Sequence, residues 1–293
     1  MSKRTAKEYL VFGIFVFPLF VPFIVFFIIP TVLGLVYSFF EWNGISSNMR
    51  FINVQNFVNL FTRDSNYFVS MVFSFRFAIL SVIIGNTLSI LLALWVNLKI
   101  KSANFIRAAF FMPIVICGVV KGFLWRFIYN QGFAALYNYF PLDIFNVKML
   151  ASGANAFYAI LIVSLWGGIG YNMVIYLAGL LAIDRVYYES ADIDGAGAFC
   201  KFFNITLPLM MPSITVCLFT SISGSFAMYD MNTALTGGGP GNATLSLVLD
   251  IYRTAFQQNR LGYGASKAVI LLVIIMTITL LQVRLTRRKE VEL

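Results

Sequence analysis

Twelve Asp and Glu residues, three cysteines and no histidine make up the reactive inventory of this 293-residue sequence. General acid–base catalysis and metal ligation draw mainly on histidine and on convergent carboxylates. Proton relays inside membranes set such groups at mid-membrane depth. None of the twelve acids falls in the middle of an apolar run; Asp230 comes nearest, at the end of one. Cys117 and Cys217 lie inside apolar runs and Cys200 in a polar loop, a pattern that indicates neither a disulfide nor a metal site. No catalytic residue and no metal is therefore nominated. The glycines of Gly237–Gly239 lack the Lys-Ser or Lys-Thr that a phosphate loop requires, and no Walker sequence occurs elsewhere, so the chain alone has no means to hydrolyse ATP. What remains is uncharged. Asn86, Thr87, Ser164, Trp166, Tyr171, Asn172, Ser221, Ser223, Ser225 and Tyr229 lie within apolar runs and offer hydrogen bonds or aromatic faces. Small and hydroxyl-bearing residues also mediate helix packing in membranes. With 31 Phe and 14 Tyr in the chain, one aromatic position says little by itself.

The elements that must position these groups are membrane spans. Hydrophobic residues make up 60% of the chain and charged residues 11%, against about 25% charged in soluble domains. Six segments reach the roughly 20 apolar residues that a bilayer span needs: 11–40, 70–97, 108–129, 154–181, 209–230 and 265–283. Together they predict a single all-α integral membrane domain over residues 1–293. The first segment is a retained span rather than a signal peptide, because no small-residue cleavage site follows a short apolar core. Its Pro18, Pro22 and Pro30 predict a break or kink. An even number of spans puts both termini on one side. Segments 1–10, 98–107, 182–208 and 284–293 hold 12 Lys and Arg, against 5 in the alternate loops 41–69, 130–153 and 231–264. By the positive-inside rule both termini are cytoplasmic. Arg76, Lys121, Arg126 and Lys267 fall near the outer ends of their spans, where long side chains can snorkel. This distribution assigns the net charge of +9 to lipid and not to nucleic acid.

One cytoplasmic stretch, 182–208, is built for structure. Asp184 can cap a helix that Val186, Tyr187, Ala191 and Ala196 furnish with apolar contacts, and Gly195 and Gly197 can end or bend it. A second short helix through Phe199, Phe202 and Phe203 leads to Leu207 and Pro208. From its residues alone the stretch reads equally as an interfacial amphipathic helix. Its spacing, however, resembles the cytoplasmic EAA loop of ABC importer permeases. Glu189, Ser190 and Ala191 stand at E-A-A, Gly195 follows four residues after Ala191, and Ile205, Leu207 and Pro208 form the second half. Tyr188 and the triplet Asp194-Gly195-Ala196 are similar to the carbohydrate-uptake branch; Ser190 departs from the usual Ala.

The resemblance runs along the chain. Phe51, Asn56 and Phe57 fit the first outer loop, with Asn53 where the family has glycine. Arg107, Pro113, Trp125, Gly132 and Asn138 follow in the family's order, as do Trp166, Gly170 and Ala178-Gly179-Leu180. The last outer loop carries Leu235–Pro240, Thr244, Ile251-Tyr252, Ala255-Phe256 and Gly262–Ala265, similar to the first of the two sugar permease subunits. The resemblance implies a six-span type I ABC importer permease fold in a bacterial or archaeal cytoplasmic membrane. It implies as partners a second homologous permease subunit, an ABC ATPase dimer that binds ATP and Mg, and an extracytoplasmic solute-binding protein. No cofactor is implied for this chain. Glu189 would anchor the ATPase, Gly195 would turn the loop, and Ile205, Leu207 and Pro208 would pass motion to the fifth span. Of the polar span residues, Asn86, Trp166, Tyr171, Asn172, Ser221, Ser223, Ser225 and Tyr229 become candidates for the path of a sugar, polyol or glycerol phosphate. The glycine run is read as a turn before a short outer helix, with Thr244 near its cap and Leu245, Val248, Ile251, Tyr252 and Phe256 on its apolar face; contact with the binding protein is the alternative. A secondary carrier or channel is the rival class, and it would have no use for the loop.

Overall fold

The computed structural model describes residues 6–98 and 102–288. Lys3, Arg4, Lys99, Lys101 and Lys289 of the positive-inside count lie outside the described residues. The described residues are mostly helical, with one two-stranded antiparallel ribbon. Among the described residues four helices are long and apolar enough to cross a membrane alone: Val11–Tyr37, Ser65–Asn97, Gly153–Leu181 and Leu261–Arg287. Two bent pairs, Ala103–Val115 with Gly118–Tyr139 and Ala198–Leu209 with Met211–Phe226, bring the number to six if each pair is one span.

Three of the expected spans are built differently from their sequence outlines. The prolines of the first do not break it. The helix runs through Pro18 and Pro22, and a wide π turn at Ile24–Ile28 precedes Pro30. A π turn takes up local misfit where the donor ladder is interrupted. The expected third span, 108–129, is by contrast not one helix. Ile116 and Cys117 are extended, and the chain bends by 101° between the flanking helices. In the fifth, a 69° bend falls at Met210 between Pro208 and Pro212, neither of which has an amide to donate. The helix then ends at Phe226, and a separate short helix, Asp230–Leu235, begins where the expected span was to finish.

The chain forms two compact units, residues 1–64 with 251–272 and residues 65–250 with 273–293. In the first unit the strands Phe40–Glu41 and Arg50–Phe51 pair with Phe40 opposite Phe51. Buried Asn56 donates to the carbonyls of Ser38 (2.9 Å) and Phe40 (3.0 Å), which fixes the start of the ribbon. Lys267, expected to snorkel, is instead 2% exposed. It pairs with Asp64 at 2.9 Å and donates to Thr254 Oγ1 at 2.9 Å, while the Tyr263 hydroxyl donates to Asp64 at 3.0 Å. A buried ammonium requires such partners.

In the second unit Ser65–Asn97 packs along Gly153–Leu181, and Ala103–Val115 packs against the same helix. At Gly170 the Phe110 carbonyl occupies the place a Cβ would take, so only glycine allows this approach. Phe73, Phe77, Phe157 and Ile160 fill one apolar cluster, and Val96, Met173, Leu177 and Met210 a second. The Arg76 guanidinium lies 4.5 Å from the Phe157 ring centre. The glycine run is a turn: Gly237, Gly238 and Gly241 have positive φ. Thr244 braces that turn and does not cap the next helix. It donates to the Gly239 carbonyl at 2.6 Å, whereas Ser246 Oγ accepts from the Leu249 amide at 3.3 Å. Leu245 is buried as expected of an apolar face, but Tyr252 and Phe256 are exposed.

Candidate functional site

Polar residues scattered over three sequence segments meet because their helices pack in one unit. A cavity of about 600 Å³ lies among the helices Ser65–Asn97, Gly118–Phe127, Gly153–Leu181 and Met211–Phe226 and the Tyr229–Met231 corner. Volumes of this order hold small organic ligands. Tyr171, Asn172, Ser221, Ser225 and Tyr229 line it, together with Ser164. The Asn172 amide donates to Ser221 Oγ at 2.9 Å, and Ser225 Oγ lies 2.8 Å from Ser81 Oγ. Asn86 stands behind this wall and not in it. Its Oδ1 accepts from the Tyr176 hydroxyl at 2.7 Å and from Asn172 at 3.5 Å, so it holds Asn172 in place. Trp166 turns to the Trp125 ring, with centroids 5.5 Å apart, and neither it nor Ser223 lines the cavity.

Other lining residues carry weaker sequence signals. Ser81 and Thr220 are ordinary span hydroxyls; Tyr176, which holds Asn86 from behind the wall, is identifiable only as one turn beyond Asn172. Lys121 and Asp230 are the charged members. Lys121 points into the cavity rather than snorkelling outward, because the bend at Ile116–Cys117 re-aims the helix that bears it. Asp230 at the end of an apolar run was the visible clue.

The 182–208 stretch forms a helix, a turn and a second helix. Asp184 accepts from the Val186 amide at 3.1 Å and caps Arg185–Ile193 at its start. At the other end Gly195 has φ +73°. The Ala196 amide reaches the Ala191 carbonyl at 2.9 Å and the Gly195 amide reaches that of Asp192 at 3.1 Å, the paired bonds of a Schellman turn. Nothing lies within 4 Å of a Cβ built on Gly195, so its glycine is demanded by backbone conformation and not by crowding. Lys201 pairs with Asp192 at 2.6 Å and ties the second helix to the first. Tyr188 Oη lies 2.9 Å from Thr206 Oγ1, and Ala191 is buried. On the other face Glu189, Ser190 and Asp194 are exposed, as are Val186, Tyr187, Ile193, Phe199 and Phe203. Val186 and Tyr187 therefore do not supply the internal contacts expected of them. Ile205, Leu207 and Pro208 lie half-buried in the helical junction that leads to Met211–Phe226.

Comparison with known proteins identifies the family. Residues 1–291 match the family model described as "Binding-protein-dependent transport system inner membrane component". The chain is 37% identical over its whole length, and the whole length of the relative, to the probable starch degradation products transport system permease protein AmyD of Thermoanaerobacterium thermosulfurigenes. It is 30% identical, over 90% of each chain, to the sn-glycerol-3-phosphate transport system permease protein UgpA of Yersinia enterocolitica. A crystal structure of a bacterial ABC transporter that imports the acidic polysaccharide alginate contains a chain of the same fold, with a TM-score of 0.81 at 21% identity and 96% of each chain covered. The match over residues 1–291 and the identity to AmyD over its whole length show that the chain belongs to the binding-protein-dependent inner-membrane permeases of ABC importers.

Proposed function

We propose that this chain forms half of the translocation pathway for a saccharide, or a related polyol or glycerol phosphate, and couples it to a separate ATPase through residues 184–208. The observation that carries the proposal is the two-sided character of the loop. One side is fastened, by Asp184, the Schellman turn and the Tyr188–Thr206 contact, and the other leaves a carboxylate and large apolar side chains in water. An exposed apolar and charged face on a rigid short helix suits docking into a cleft of a partner. Closure of the ATPase dimer would then move the loop as a body, and the Ile205–Pro208 junction would hand the motion to Met211–Phe226. ATP and Mg would be bound by that partner, and this chain would need no cofactor. The remaining partners are a second permease subunit and the binding protein that the family's description names.

The test is co-purification of the tagged chain from mild-detergent membranes with ATPase assay of what comes with it. We expect a second permease and an ATPase, with hydrolysis stimulated by a loaded binding protein. Glu189→Ala should lower ATPase retention and stimulated hydrolysis by roughly tenfold, the scale of losing one charge-assisted contact, while membrane insertion is unchanged. A chain that purifies alone, or a Glu189→Ala complex with full coupling, would reject the loop assignment.

A further inference from the structure

Two formal charges face the cavity, and the solute-path reading says nothing about why. Lys121 and Asp230 are the charged residues among those lining it; all the other polar linings are hydroxyls, amides or backbone. Among the described residues no ion pair or side-chain hydrogen bond joins either one to a neighbour. Both are accommodated deliberately. A Cβ added at Gly167 would sit 3.0 Å from Lys121 Nζ, and one added at Gly118 would sit 3.0 Å from Asp230 Cβ and 3.8 Å from its Oδ2. Gly118 and Lys121 are three residues apart on one helix, so Asp230 packs over the helical face from which the Lys121 side chain reaches across to Gly167. They are nonetheless too far apart to pair directly, since no ion pair of 4 Å or less links them.

Charged groups within a membrane protein are costly unless they meet each other, water or a ligand. We infer that Lys121 and Asp230 select an uncharged polyhydroxylated solute, bridging between them through its hydroxyls; the inference rests on the reading that this cavity is part of the solute path. A hydroxyl is both donor and acceptor, so one sugar unit can accept from the ammonium and donate to the carboxylate at once. Ser81, Asn172 and Ser221 continue the same uncharged pattern along the wall. An anionic solute gains at Lys121 and is repelled at Asp230, and a cationic one the reverse, because the cavity's two formal charges cancel.

The decisive measurement is retention of radiolabelled saccharides by the assembled complex in lipid nanodiscs without its binding protein, which would otherwise impose its own selectivity. Maltotriose and trigalacturonic acid serve as neutral and anionic probes of similar size, and trilysine as the cation. The wild-type complex should retain maltotriose at least tenfold better than either charged probe. Asp230→Asn leaves a lone cation and should move the preference towards trigalacturonic acid by roughly tenfold or more, the range for a hydrogen bond to a charged group. Lys121→Met should weaken maltotriose retention by a similar factor. Equal or better retention of trigalacturonic acid by the wild type, or an unchanged preference in Asp230→Asn, would overturn the inference while leaving the cavity as the path. Failure to retain any probe, with Ser221→Ala uptake at wild-type level, would overturn the path reading itself and the inference with it. The wild-type comparison needs no variant to fold.

Discussion

Lys267 illustrates how far a side chain's fate can depart from its place in the sequence. A lysine near the end of an apolar run reads as an interfacial anchor, yet here it is sealed against Asp64, Thr254 and Tyr263. A buried pair contributes little over an apolar substitute, but removing one partner strands the other. Lys267→Met should therefore lower stability by about 3 kcal/mol, seen as a fall in the thermal midpoint of the detergent-solubilised chain. The double variant Lys267→Met with Asp64→Leu should recover much of that loss, because neither charge is left buried alone. An additive or larger loss in the double variant would show that the ion pair is not what the site depends on. Asn86 gives the same lesson on a smaller scale: chosen for its polarity as a path residue, it supports Asn172 from behind.

The 184–208 loop is an element whose local sequence and local structure agree. Asp184 before the helix and Gly195 after it are cap residues by type, and both act as such. Gly195 has open space around it, so substitutions there report on conformation alone. Gly195→Asn, which tolerates positive φ, should keep transport-coupled ATPase activity. Gly195→Val, which does not, should strain the turn by about 1–2 kcal/mol and depress coupling, with faster amide exchange at Ala196. Equal activity in both variants would mean that the turn's geometry does not matter to coupling. The third span behaves in the opposite manner. Pro113 and Gly118 flank Ile116 and Cys117, but the continuous apolar run 108–129 outlines a span without revealing a 101° bend between them.

For the whole molecule, none of the apolar window of Val11–Tyr37 is buried within the chain, as befits a helix whose surroundings are lipid or another subunit. The charge asymmetry assigns the 182–208 loop and both termini to the cytoplasm. Cys200 in that loop is exposed, as is Cys117, while Cys217 is buried. In a Cys117→Ser background, a membrane-impermeant maleimide should label Cys200 in inverted vesicles and not in intact cells or right-side-out vesicles. Labelling from the outer side would reverse the topology and with it the coupling role of the loop.

The class of this protein is legible in its local sequence features. Span-length apolar runs, the placement of Lys and Arg, the missing nucleotide and acid–base groups and the spacing from Glu189 to Pro208 are local properties, fixed by how many residues cross a bilayer and which ones cap or turn a helix. Tertiary structure decided which polar residues face one another. Asn172 and Ser221 are 49 positions apart, and Lys121 reaches the same space as Asp230 only because a bend and two glycines allow it. Helical periodicity fixes which residues share a face. It does not fix which faces meet, since in a uniformly apolar helix no stripe is distinguished from another and packing alone makes the choice.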